Sequence, residues 1–155
     1  MSLANIIAQV ETLPTTHRLA ITLALLEFVH GDLPAGSASS SNQTLYWLWS
    51  IFSGAAPGPL DNYYSLDGPL MTLFSSVAGT PREDDVHWYA GVANLLVWHE
   101  YGDLEGIVVQ STEQWRSLLD FCDNLGVPEA ALNALIALDP ATIDRAQVQQ
   151  TITSP

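Results

Sequence analysis

Apolar residues recur at helical spacing along most of the chain. Leu3, Ile6, Ile7 and Val10 share one face of a first helix that Ser2 caps and that runs to about Thr12. After the punctuation of Pro14, a second helix spans 15–30, with Gly31 as its stop. Its Leu19, Leu23 and Leu26 form a stripe, while Ile21, Leu25 and Phe28 make the other side apolar too, which predicts burial over most of the circumference. A third helix, 42–53, carries Leu45, Tyr46, Trp47, Leu48, Trp49, Ile51 and Phe52. Asp67 as cap with Pro69 in the first turn opens a fourth, to about Ala78. The fifth, expected to be the longest, spans 82–101 with Val86, Tyr89, Ala90, Ala93, Val97 and Tyr101 as its main stripe. Ser111 and Gln114 form a capping-box pair for a sixth that ends at Gly126. A seventh runs from Pro128 to about Leu138, and Asp139-Pro140 opens a short eighth to about Thr151.

Polar breaks separate these elements. Residues 32–42 hold Pro34, Gly36 and the serines Ser37, Ser39, Ser40 and Ser41, which reads as a flexible loop. Residues 54–62, with Pro57, Gly58 and Pro59, make another. Ile107, Val108 and Val109 are β-branched and allow one short β piece near 106–110. There is no internal repeat and no sustained heptad pattern. The pattern therefore predicts an all-α fold: a compact single domain over 1–155, a bundle of seven to eight helices with the second, third and fifth inside.

Composition changes this picture in one respect. Hydrophobic residues make up 48% of the 155, but charged residues only 14%, against roughly 25% in a typical soluble domain. The net charge is −13. Seventeen Asp and Glu are an ordinary share for this length; the imbalance comes from four basic residues, Arg18, Arg82, Arg116 and Arg145, and no lysine. Without lysine the chain cannot supply the P-loop amine, the kinase phosphate-pairing amine, a Schiff-base amine or a Ser-Lys dyad. No G-x-G-x-x-G fingerprint and no G-x-S-x-G elbow is present. Such acidity opposes nucleic-acid and anionic-membrane binding and favours cationic partners. The single cysteine, Cys122, excludes an internal disulfide; with no basic-then-apolar leader at residues 1–10, the expectation is a cytoplasmic protein.

Three groups of residues could carry chemistry or binding. Glu83, Asp84 and His87 put carboxylate and imidazole on one helical face, a spacing that could hold a divalent ion, although acids at a helix N-terminus also serve the dipole alone. His99-Glu100 begins like zinc-binding H-E-x-x-H, but the second histidine is absent; His99 and Asp103 are instead placed to pair across a helix end. Tyr46, Trp47, Trp49 and Phe52 are the third group. Trp47 and Trp49 diverge by about 200° around a helix, so two environments are needed, the domain core and a second one that is a second core layer, a ligand cavity or a partner surface. Cys122 beside Asp120 and Asp123 reads as a buried small hydrophobe.

Nine of the acids lie in 81–123 against two arginines, including Asp103 and Glu105 in the turn after the fifth helix. Together these features lead to an acidic protein-binding module, an immunity-type inhibitor or antitoxin that neutralises a basic partner protein through Trp47, Trp49, Asp103 and Glu105. No cofactor is called for. The alternatives are a small carboxylate–histidine enzyme, metal-dependent through Glu83, Asp84 and His87, and a lysine-free secreted effector.

Overall fold

The computed structural model describes residues 3–54, 59–100 and 104–153. Among them the chain forms eight α-helices, one 3-10 turn and no strand. The helices are α1 (Leu3–Glu11), α2 (Thr15–Asp32), α3 (Ala38–Phe52), α4 (Pro59–Val77), α5 (Glu83–Glu100), α6 (Leu104–Asn124), α7 (Glu129–Ile136) and α8 (Arg145–Thr153). None of the described helices is long and apolar enough to cross a membrane.

α2 is the axis of the fold. Every residue from Arg18 to Glu27 is buried, and so is Val29, so the helix has no solvent face over its central turns. It packs against α6 most extensively, and also against α3, α5, α7 and α8. α3 and α5 lie beside it and carry α4, while α1 leans on α6 and α7 on α8. Each buried leucine of this axis contributes about 1.5–3 kcal/mol of transfer free energy. The sequence pattern already contained this arrangement, since a helix apolar on all sides can only be a central one.

Several boundaries differ from expectation, each for a local reason. α2 passes through Gly31 and ends because Pro34 follows: Leu33 is driven to extended backbone (φ −72°, ψ 151°), the conformation required of a residue before proline. The segment expected to be a flexible loop over 32–42 is instead a 3-10 turn, Ala35–Ser37, running into α3. Ser37, Ser40, Ser41 and Thr44 are buried there. Three of these hydroxyls have partners: Ser40 Oγ donates to Ser37 O at 3.2 Å, Thr44 Oγ1 donates to Ser40 O at 2.8 Å, and Ser41 Oγ lies within hydrogen-bond distance of His30 and Tyr89. α4 begins at Pro59, a favoured first-turn residue, and continues through Pro69, which the sequence placed at its start. The span 106–110 is helical within α6, with no β piece, and α6 rather than α5 is the longest helix. β-branched residues cost a helix only a few tenths of a kcal/mol each, and extending an existing helix adds one hydrogen bond per residue.

Two capping expectations also move. Ser111 lies inside α6, and Gln114 reaches α5 instead of a cap, its Nε2 donating to Trp88 O at 3.1 Å. Gly91 makes room for that crossing, because a Cβ there would stand 2.6 Å from Gln114 Oε1. Asp139 closes a turn, accepting from Ala141 N at 2.9 Å, while Asp144 caps α8 by accepting from Gln147 N at 2.8 Å. At the end of α6, Gly126 takes φ +75° and Val127 N donates back to Cys122 O at 3.0 Å, a Schellman closure.

If the serine-rich segment is helix held by buried hydroxyls, the amides of residues 42–45 exchange slowly in native-state hydrogen exchange, with protection approaching that of α2. Exchange at the rate of an open loop would contradict it.

Candidate functional site

α2 is apolar along its length except for Arg18, Thr22 and Glu27 among its buried residues. Glu27 is buried to 6% exposure, and a carboxylate there needs partners. Two elements supply them. Trp49 of α3 donates Nε1 to Glu27 Oε1 at 3.1 Å, and Arg145 at the start of α8 donates Nε to the same oxygen at 2.8 Å. Arg145 Nη1 also reaches Asn42 O at 3.3 Å, so one guanidinium ties α8 to both α2 and α3.

One turn further along α2, His30 Nδ1 lies 2.7 Å from Ser41 Oγ, and Ser41 Oγ lies 2.6 Å from Tyr89 OH. This chain of hydroxyls joins α2, α3 and α5. Burial pushes the Tyr89 hydroxyl above the ordinary tyrosine range. Burial likewise lowers the His30 pKa below 6.5; Glu27 opposes the shift and Arg145 adds to it. A histidine beside a serine and near a glutamate has the ingredients of a nucleophilic site, but Ser41 and Tyr89 are sealed from solvent, so the chain is structural. His30 lies in the last turn of α2, and its side-chain partner is the Ser41 hydroxyl.

Above this buried network, α3 and α8 enclose a surface groove of about 310 Å³ lined by Tyr46, Trp49, Ser50, Ser53, Ile143, Asp144, Arg145 and Ala146. Tyr46 is 61% exposed and meets Trp47 edge-on, ring centroids 5.7 Å apart. Trp49 meets Phe52 in the same way at 6.1 Å.

The two tryptophans picked from the sequence both pack against the same core cluster. Trp49 belongs to the core with its indole N–H turned to Glu27, and Trp47 is half-buried against the core. The exposed aromatic of the cluster is Tyr46. Asp103, with its proposed pairing to His99, lies outside the described residues, and so does the side chain of Glu105. Glu83, Asp84 and His87 stand exposed at the start of α5, where Glu83 Oε2 accepts from Gly79 N at 3.4 Å and the His87 ring rests 5.2 Å from Phe74. Among the described residues no group of three or more His, Cys, Asp and Glu side chains gathers so as to hold a metal ion. Cys122 is fully buried, and burial pushes its thiol up to about 12.

Glu27, Arg145 and Asp144 belong to no sequence motif. A signal existed for the first two. A lone acid in a helix apolar on every side must find a base, and this chain has only four to offer.

The Glu27 network predicts a large loss on truncation. Glu27→Ala strands the Arg145 charge and the Trp49 N–H, and should cost about 3–5 kcal/mol in urea denaturation. Because the folded-state pKa of His30 is depressed, the unfolded state binds protons first. Its contribution to stability is therefore complete above about pH 6.5 and is lost as pH falls below that value toward the folded pKa. Denaturation curves at successive pH values should show this slope, and His30→Gln should flatten it.

Comparison with protein-family models, with curated proteins and with solved structures finds no match for this chain, so its function is argued from its own residues.

Proposed function

We propose that this chain is an acidic binding module that captures a basic protein, in the manner of an immunity protein or antitoxin. The observation that supports the reading is the fate of the four arginines. Arg145 is paired with Glu27 in the interior. Arg18 is buried and donates Nη1 to Thr112 Oγ1 at 3.0 Å. Arg82 pairs with Asp32 and Asp85, and Arg116 with Glu11.

The entire cationic complement is therefore engaged within the fold. Exposed pairs such as Arg116 with Glu11 add only about 0–1 kcal/mol to stability. The chain as a whole keeps a net charge of −13: three of its four arginines sit against carboxylates within the fold and the fourth, Arg18, is buried. A field of one sign accelerates encounter with an oppositely charged protein, from a neutral rate of about 10⁵–10⁶ M⁻¹s⁻¹ to as much as about 10⁸–10⁹ M⁻¹s⁻¹ at low salt. The same field opposes nucleic acid and anionic membranes. A cytoplasmic setting fits the lone, buried Cys122.

Affinity capture on the immobilised chain, with mass-spectrometric identification and stoichiometry, tests this. The expected result is one stoichiometric partner of basic isoelectric point. Its association rate should fall at least about tenfold between roughly 0.05 and 0.5 M salt, as the Debye length shrinks from about 14 Å to about 4 Å. An acidic partner, or an association rate indifferent to salt, would remove the reading.

A further inference from the structure

We infer that the groove between α3 and α8 is an anchoring site for a cationic side chain, a lysine or arginine, presented by the partner protein. The inference rests on the capture reading and adds to it a place on the surface and a chemistry. Three properties of the groove carry it.

The first is size. A volume of about 310 Å³ stands at the small end of ligand pockets, suited to one long side chain rather than a cofactor.

The second is the hydrogen-bonding character of its lining. Ser50 Oγ donates to Tyr46 O at 2.8 Å and Ser53 Oγ donates to Ser50 O at 3.1 Å. Both hydroxyl protons are spent within the helix, which leaves oxygen lone pairs for an incoming donor. Trp49 has spent its N–H on Glu27 and contributes ring carbon to the lining. Asp144 is exposed and acceptor-only. A lining rich in acceptors and aromatic carbon matches the two side chains that are donor-only and cationic.

The third is charge. The groove contains one cation, Arg145, whose Nε is paired with Glu27 and whose Nη1 donates to Asn42 O, while its Nη2 is buried without a hydrogen-bond partner. The start of α8 would by itself favour an anion, but Asp144 already occupies that place as its cap. Its carboxylate is the unbalanced charge at the groove. Tyr46 beside it is the most exposed large apolar side chain among the described residues, and its edge-on contact with Trp47 holds it in place. Tyrosine in this setting supplies both a cation–π face and a common interface anchor.

The test uses the whole chain and small probes. N-acetyl-arginine amide, N-acetyl-lysine amide and N-acetyl-glutamate amide are titrated into isotopically labelled protein while the amides of residues 46, 50, 53 and 144–146 and the Trp49 indole N–H are followed by NMR. The cationic probes should give saturable shifts confined to the groove, with half-saturation below about 0.1 M. Tyr46→Ala and Asp144→Asn should each weaken that response several-fold. Asn preserves the α8 cap, and Tyr46 is largely exposed, so both variants should keep the parent circular dichroism. A glutamate probe that binds as well as the cationic ones, or cationic shifts that do not saturate or survive both substitutions, would overturn the site.

A captured basic partner that binds the Tyr46→Ala, Asp144→Asn double variant with undiminished affinity would overturn the site alone and leave the capture reading standing. Groove binding of the probes in a chain that captures no basic protein would support the site while removing the capture reading.

Discussion

Glu27 sits in the second half of a helix that has no solvent face over its central turns, and the way α3 and α8 dock on that helix answers the demand that its charge makes. A carboxylate taken from water into such an interior costs several kcal/mol unless it is paired and hydrogen-bonded. Arg145 brings the start of α8 to it, and Trp49 brings the last turn of α3. The contact thus fixes how two peripheral elements sit on the axis in a way that leucine packing, which is non-directional, would not. Whether the pair adds net stability over an apolar substitute is a separate matter. Its distinct contribution is orientation.

The same contact shapes the outside of the molecule. Drawing Trp49 inward leaves Tyr46, three residues earlier on α3, as the exposed aromatic of that face. Drawing Arg145 inward cancels one of only four cations and leaves Asp144, the residue before it, as the charge at the rim of the groove. Core and candidate surface are therefore coupled through neighbouring residues on the same two helices. The second polar chain, from His30 through Ser41 to Tyr89, works alongside by seating the serine-rich start of α3 against α2 and α5.

Much of the fold was legible before any coordinates. Helical periodicity located the helices, and the all-round apolarity of residues 19–29 identified the central one. The errors share a cause. Residues 37–41 read as a loop because serine is polar and favours local turns, yet the Ser41 hydroxyl finds partners on two other helices that no local pattern displays. Gln114 read as a cap because Ser111 precedes it by three, yet its amide crosses to α5 through the space that Gly91 leaves. In the aromatic cluster, Trp47 and Trp49 diverge around the helix yet both pack on the one core, Trp49 within it and Trp47 half-buried against it. The divergence could not say which tryptophan was the inner one, because that depends on where the buried carboxylate lies.

By itself the sequence determined the all-α class, the central position of the second helix, the acidity and its origin in missing bases, and the exclusion of amine and P-loop chemistry. These follow from properties that add along the chain: periodicity, composition and the presence or absence of a side-chain type. Helix packing sets which acid meets which arginine, that serines line the interior, and that the outward aromatic of the third helix is Tyr46. Those outcomes depend on pairs far apart in sequence, Glu27 with Arg145 and Ser41 with Tyr89, whose partnership exists only once the helices have packed.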